Sequence, residues 1–128
     1  MALHPLIALA EDDVQLRGLL AAALEHAGYR VIQVGTGRHL VDVVRHLLAV
    51  GEPPRVIITD VRMPALGGID AAQLLRRAGH TTPMIFMTAY GDAWTRSQAS
   101  ALGAVLLDKP LSLSVLRQAV HRALGEPS

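Results

Sequence analysis

The 128-residue sequence predicts a three-layer α/β domain, in which a five-stranded parallel sheet lies between two layers of helices. Two observations lead to this fold. Short apolar runs alternate five times with segments of helical periodicity. Hydrophobic residues make up 51% of the chain, which is enough for one sizeable core. We expect a single domain over 1–128 with a core of about 5–124.

The first two strands flank a leucine-rich helix. Residues 6–10 (LIALA) form an apolar run between a proline and a run of acids, which favours a buried strand. Residues 14–28 repeat leucine and alanine at helical spacing, with Asp13 expected at the start and Gly28 as the cap at the end. Residues 30–34 (RVIQV) are rich in β-branched side chains, which is typical of a strand.

The middle of the chain repeats the pattern of helix, strand and helix. Residues 38–50 are helical by periodicity and end at Gly51. Residues 55–60 (RVIITD) form an apolar strand that ends in an acid. Residues 63–68 (MPALGG) are predicted as a loop by their proline and glycines, and 69–79 as a helix.

The last part of the chain adds two strands and two helices. Strands are predicted at 83–88 (PMIFMT) and 104–108 (AVLLD), and helices at 91–103 and 112–124. The candidate N-caps of these helices are Asp92 and Ser112.

Strict alternation of strand and helix implies parallel strands joined by right-handed crossovers. Five units of this size favour the flavodoxin-like strand order 2-1-3-4-5. Ligands of such sheets bind beyond the carboxyl ends of the strands, where the strand order reverses. In this order, that point lies between strands 1 and 3.

Composition and charge exclude several classes of function. The net charge of +1 gives no general attraction to nucleic acid or to anionic lipid, so we expect this domain to bind neither directly. The absence of cysteine excludes disulfides and thiolate sites. The N-terminal residues lack the features of a signal peptide, and the apolar runs are far shorter than the roughly 20 residues that span a bilayer. A cytoplasmic protein is therefore expected.

Polar residues follow the strands at the edge where a ligand would bind. Glu11 and Asp12 follow strand 1, Asp60 ends strand 3, Thr88 ends strand 4 and Lys109 follows strand 5. Neighbouring strands lie about 5 Å apart, so these carboxylates would repel one another unless a cation such as Mg²⁺ were bound. An aspartate beside such an ion can act as a nucleophile that forms an aspartyl phosphate. Each residue alone has an ordinary explanation, as a helix opener, turn cap or solvated charge; their coincidence at successive strand ends favours a phosphate site.

Four segments together resemble the receiver domain of bacterial two-component response regulators. They are LIALAEDD, VIITDVRMPALGGIDAAQLL, MIFMTAYGD and LLDKPLS, and the resemblance runs from about residue 5 to residue 124. The block D-x-R-M-P-x-x-x-G, followed by T-A and K-P at suitable distances, is specific as a set.

The resemblance implies a role for each matching residue. Asp60 corresponds to the acceptor of a phosphoryl group from a phosphohistidine, which a sensor histidine kinase or a histidine phosphotransfer protein provides. Thr88 and Lys109 correspond to the residues that contact this phosphoryl group. Mg²⁺ would be held by Asp12 directly, by Glu11 through water, by Asp60 and by the backbone carbonyl of Arg62. Such a domain is a phosphoacceptor that catalyses its own phosphotransfer and dephosphorylation, not an enzyme with a separate substrate.

Further positions match features of the family. The resemblance implies a cis peptide bond at Lys109–Pro110, and it implies that Arg62 and Tyr90 influence the lifetime of the phosphoryl group. The family usually carries an aromatic residue three positions before the lysine, and this chain has Leu106 there. The aromatic relay that normally transmits phosphorylation is therefore altered.

Two other functions stay open at this point. One is a degenerate receiver that acts as an interaction module without phosphorylation. The other is a phosphatase of the haloacid-dehalogenase type, although these carry a second acid two residues after the nucleophile, where this chain has Arg62.

The resemblance also indicates a signalling surface, formed by the fourth helix, the fifth strand and the fifth helix. A homodimer through this surface is one expected assembly, and Trp94, Arg117 and His121 are predicted to lie on or near it. Both a stand-alone regulator and a part of a longer protein agree with the sequence.

Overall fold

The computed structural model describes residues 4–126, so both ends of the predicted domain 1–128 lie outside the described residues. Five strands and five helices alternate strictly, as predicted. In chain order they are β1 Leu6–Ala10, α1 Val14–His26, β2 Arg30–Val34, α2 Gly37–Ala49, β3 Val56–Asp60, α3 Gly68–Arg77, β4 Met84–Thr88, α4 Ala93–Ala101, β5 Ala104–Asp108 and α5 Leu113–Ala123.

The five strands form one parallel sheet in the order β2-β1-β3-β4-β5, which confirms the predicted flavodoxin-like topology. Two clusters of buried side chains cover its faces. One cluster joins the sheet to α1 and α5, and the other joins it to α2, α3 and α4. The strands β1, β3 and β4 are buried along their whole length, which explains why each is a continuous apolar run and not an alternating one.

Side-chain caps set the starts of the helices. The carboxylates of Asp13 and Asp92 and the hydroxyl of Ser112 accept hydrogen bonds from backbone N–H groups three residues later, as predicted. Thr36 caps α2 in the same way, and this helix begins one residue earlier than predicted. The cap residue at the end of α1 is Ala27, and Gly28 follows it with a φ of 101°, which suits glycine.

Within the described residues, no helix combines the length and the apolarity needed to cross a bilayer.

Candidate phosphate site at the carboxyl edge of the sheet

Three acids meet where β1 and β3 end. The parallel register pairs Ala10 with Thr59, so the residues that follow them leave the sheet side by side. Oxygen atoms of Glu11, Asp12 and Asp60 all lie within 4.8 Å of one another. Glu11 and Asp60 are buried, whereas Asp12 is exposed at the rim. The sheet therefore brings together the three carboxylates that the sequence predicted as one cluster.

Lys109 reaches this cluster from the end of β5. Its Nζ atom donates to Oε1 of Glu11 at 2.7 Å and to Oδ2 of Asp60 at 2.9 Å. Burial acts to lower the pKa of the Lys109 ammonium, but the hydrogen bonds and the charges of the two carboxylates outweigh it, so the pKa is raised above its usual 10.5. The lysine is therefore a fixed positive charge against the nucleophile candidate.

Glu11 accepts hydrogen bonds at both its carboxylate and its backbone carbonyl. Its Oε2 atom accepts from the backbone N–H of Asp13 at 3.1 Å, and its backbone carbonyl accepts from the guanidinium of Arg17 at 2.8 Å. Asp13 and Lys109 each donate to one oxygen of the buried carboxylate, which fixes its orientation. Glu11 thus belongs to the site, while Asp13 serves the helix start.

The donor set fits a hard divalent cation. Three carboxylates with one ammonium group leave two excess negative charges in the cluster, and carboxylate oxygens are the ligands that Mg²⁺ prefers. Burial, together with the neighbouring Glu11, raises the pKa of Asp12 above its usual 3.8, and a bound cation would reverse this effect. The cluster could therefore hold Mg²⁺, with Asp12 at the accessible side.

Thr88 ends β4, one position after Met87, which pairs with Asp60 on the neighbouring strand. Its side chain is buried, and its hydroxyl oxygen accepts from the backbone N–H of Tyr90 at 3.1 Å. Its backbone carbonyl accepts from the N–H of Lys109 at 2.7 Å, and the Lys109–Pro110 peptide bond is cis, as the resemblance implied.

Arg62 and Tyr90 form a pair above the site. The guanidinium carbon of Arg62 lies 5.2 Å from the centre of the Tyr90 ring, which is a cation–π contact. The backbone N–H of Arg62 also points to Oδ1 of Asp60, at the long distance of 3.4 Å. The two positions that the resemblance connects with phosphoryl lifetime are therefore in contact with each other.

The loop after Asp60 departs from the prediction in its turning residues. The left-handed residues are Ala65 (φ 49°) and Leu66 (φ 85°), whereas Gly67 has an ordinary φ of −75°. Gly68 opens α3 so close to the chain that an added Cβ atom would overlap the backbone carbonyl of Asp60. Gly68 therefore allows α3 to pack closely against the backbone of Asp60. The left-handed conformation of the turn is adopted by Ala65 and Leu66, which are not glycines.

The first turn of α2 holds this loop. The backbone N–H groups of Gly37 and Arg38 donate to the carbonyls of Leu66 and Ala65, at 3.0 and 2.9 Å. These N–H groups have no partner within the helix, so the loop carbonyls satisfy them. A Cβ atom on Gly37 would overlap the carbonyl of Leu66, which explains a glycine at the start of this helix.

The three residues predicted for the signalling surface line two different cavities. Arg117 and His121 line a cavity together with Ala27 and Tyr29. Trp94 is exposed on α4 and lines a different cavity beside Arg62. Gln118 and Arg122 of α5 line both the first of these cavities and another beside β5, so a position of Arg117 and His121 on or near the signalling surface stays a prediction.

The flank of α5 beside β5 carries other residues. Val105, Leu107, Val115 and Ala119 line a cavity there, and the two valines are about half exposed. Leu106, which replaces the usual aromatic residue, points the other way and packs against the core cluster of α2, α3 and α4.

Sequence reasoning missed one contact group close to the site. Arg96 on α4 donates through Nε to the carbonyl of Gly91 at 2.9 Å and through Nη2 to both carboxylate oxygens of Asp108, at 3.4 and 3.2 Å. Asp108 directly precedes Lys109. Arg96 and Asp108 are 12 positions apart and lie on different elements, so no helical or strand periodicity connects them. Only the packing of α4 against β5 shows that they form a pair.

Comparison with known proteins places the chain among signalling domains. The profile of the response regulator receiver domain matches residues 7–121. The regulatory protein LuxO of Vibrio vulnificus is 31% identical over 94% of this chain, and the regulatory protein AtoC of Escherichia coli is 34% identical over 92%. The chain spans about a quarter of the length of these two relatives, 26% and 25%.

Relatives of similar length and solved structures agree. Sporulation initiation phosphotransferase F of Bacillus subtilis is 27% identical, over 92% of both chains. A signal receiver domain from Vibrio parahaemolyticus superposes with a TM-score of 0.87 at 26% identity, covering 96% of this chain and 92% of that one. The chemotaxis response regulator CheY4 of Vibrio cholerae gives a TM-score of 0.80 at 25% identity, over 94% and 99%.

Proposed function

This chain belongs to the response regulator receiver domain family of two-component systems, and on that premise we propose that Asp60 accepts a phosphoryl group from a phosphohistidine. The donor is a sensor histidine kinase or a histidine phosphotransfer protein, and the receiver domain covers about residues 5–124. The observation that carries the proposal is the contact of Lys109 with both Asp60 and Glu11, because it fixes a cation against the acceptor carboxylate.

The reaction is a displacement at phosphorus. A carboxylate oxygen of Asp60 forms the new O–P bond while the N–P bond of the phosphohistidine breaks, and the imidazole leaves with the bonding electrons and takes up a proton. Lys109 and the hydroxyl of Thr88 stabilise the negative charge on the transferred group, and both are fixed before the donor arrives. Asp60 ends a fully buried strand, so its position is fixed as well.

The magnesium ion would be held by Glu11, Asp12, Asp60 and the backbone carbonyl of Arg62. When bound, it neutralises charge on the transferred phosphoryl group. Oriented carboxylates and an accessible Asp12 are what this chain contributes to that binding.

We also propose that phosphorylation controls partner binding or an output domain through α4, β5 and α5, with a homodimer as one outcome. The exposed apolar side chains of Val105 and Val115 support this surface. Leu106 has no polar tip that could exchange between buried and exposed positions, so the conformational change would differ from the family's usual relay.

The test is intact-mass spectrometry after incubation with acetyl phosphate, with and without Mg²⁺, on the wild type and on Asp60→Asn. We expect one Mg²⁺-dependent phosphoryl adduct in the wild type and none in the variant. A folded wild type that forms no adduct, even when sampled within seconds, would instead favour the degenerate interaction module, which the loss of the aromatic at Leu106 keeps as the second candidate.

A further inference from the structure

The loop between β4 and α4 is connected to the end of β5 by a single side chain. Arg96 binds the carbonyl of Gly91 in that loop and the carboxylate of Asp108 at the strand end. The neighbouring residue Lys109 donates its backbone N–H to the carbonyl of Thr88, where the same loop begins. These contacts close a ring that runs from Thr88 through Gly91, Arg96, Asp108 and Lys109 back to Thr88.

The ring is tightly closed at Gly91. A Cβ atom on this residue would lie 2.5 Å from Oδ1 of Asp108 and 2.7 Å from Nη2 of Arg96. The backbone of the loop therefore lies directly against the ion pair. Because the packing is this close, loss of the pair is expected to change the position of the loop.

We propose that Arg96 is a positioning residue for phosphoryl transfer, because it holds this loop so that the Thr88 hydroxyl is oriented for the phosphoryl group. The inference rests on the function proposed for Asp60 and Thr88. Within the ring, the backbone N–H of Tyr90 donates to the hydroxyl oxygen of Thr88, at 3.1 Å. Because the oxygen accepts this bond, the hydroxyl hydrogen is left to donate to an incoming phosphoryl oxygen.

The expected effect of losing Arg96 on the phosphorylation rate follows from the solvent exposure of its ion pair with Asp108. The side chains of Arg96 and Asp108 are 55% and 60% exposed, so the pair is weak and sensitive to salt. Loss of Arg96 leaves the fold intact and slows phosphorylation by about two- to fivefold. A residue that acted on the fold alone would not give a rate that depends on salt in this way.

The experiment compares the wild type with Arg96→Met, Asp108→Asn and the double variant, and uses Arg45→Met, an exposed arginine on α2, as the matched control. The phosphorylation rate with acetyl phosphate and Mg²⁺ is measured at low salt and at 1 M salt. At low salt we expect Arg96→Met, which loses both contacts, to be slower than Asp108→Asn, which loses only the ion pair, and the double variant to be no slower than Arg96→Met. For Asp108→Asn, the ratio of wild-type to variant rates approaches one at 1 M salt, where the Debye length is about 3 Å and the ion pair is screened.

A second measurement follows the amide hydrogen exchange of Tyr90 by NMR, which requires no phosphorylation. Arg96→Met and Asp108→Asn are expected to speed this exchange by about two- to fivefold, whereas Arg45→Met leaves it unchanged. Unchanged exchange in both ring variants, or effects on rate that multiply in the double variant, would overturn the inference. If the wild type takes up no phosphoryl group, the proposed function of Asp60 fails, and the Tyr90 exchange then decides whether Arg96 holds the loop.

Discussion

The ammonium group of Lys109 lies 2.7 Å from the carboxylate of Glu11, although the two residues are 98 positions apart in the chain. Glu11 follows the first strand and Lys109 follows the last, so the contact spans the carboxyl edge of the sheet across β1, β3, β4 and β5. One cation therefore balances part of the charge of three carboxylates.

Replacing Lys109 by methionine is expected to destabilise the metal-free protein by about 3 kcal/mol, because it leaves buried carboxylates without their counter-ion. The same change should raise the affinity for Mg²⁺, because the excess negative charge of the cluster grows by one. Urea unfolding and Mg²⁺ titration of Trp94 fluorescence measure the two effects. Lys109→Arg, which keeps the charge, serves as the control; an unchanged Mg²⁺ affinity in Lys109→Met would contradict the prediction.

Mg²⁺ is expected to stabilise the folded wild type by about 2.7 kcal/mol at a concentration of 100 times its Kd. Asp12→Asn should lose most of this stabilisation, because it removes a charged ligand candidate from the accessible side of the cluster. Asp13→Asn is a matched control, since asparagine preserves the N-cap of α1 and Asp13 is not in the cluster. Thermal unfolding with and without Mg²⁺ checks this, and equal shifts in the two variants would count against the proposed metal site.

The raised pKa of Lys109 predicts a loss of stability at high pH. A lysine with a higher pKa in the folded state binds its proton more tightly when folded, so its stabilising contribution is complete below the unfolded pKa of 10.5. The contribution disappears as the pH rises through the higher folded value. Urea unfolding from pH 9 upward should show a decline in the wild type that is smaller in Lys109→Met, and parallel curves would refute this assignment.

Replacing Gly18 and Gly37 by alanine is expected to change the free energy of unfolding in opposite directions. Gly18 lies inside α1 with open space where a Cβ atom would be, so Gly18→Ala should raise the free energy of unfolding by about 0.5–1 kcal/mol. Gly37→Ala should lower it by about 1–3 kcal/mol, because the new atom overlaps the carbonyl of Leu66. Urea unfolding of both variants measures the contrast, and a stable Gly37→Ala protein would show that the loop after Asp60 can shift away from α2.

All ten elements could be predicted from the sequence because strand runs and helical periodicity alternate without ambiguity. Glu11, Asp12, Asp60, Thr88 and Lys109 could be placed at one edge because parallel strands all end on the same side of a sheet. The roles assigned to these residues, and that of the Arg62 carbonyl as a metal ligand, stay predictions.

What the sequence could not show depends on the rotation and packing of single helices. Apolar spacing defines the face of a helix that meets the core but not which neighbour each flank meets, so the cavity that Arg117 and His121 line with Tyr29 could not be predicted. The contact of Arg96 with Asp108 depends in the same way on how α4 packs against β5. The strained turn at Ala65 and Leu66 could not be predicted, because non-glycine residues seldom adopt that conformation.

Lys109 is also the only lysine of the chain, since the other 11 of its 12 basic residues are arginines. Growth on ¹⁵N-labelled lysine would therefore place a single side-chain amine label in the whole protein, directly against Asp60 and Glu11. Its NMR signal needs no assignment. The native sequence thus carries its own spectroscopic reporter of the charge at the phosphate site.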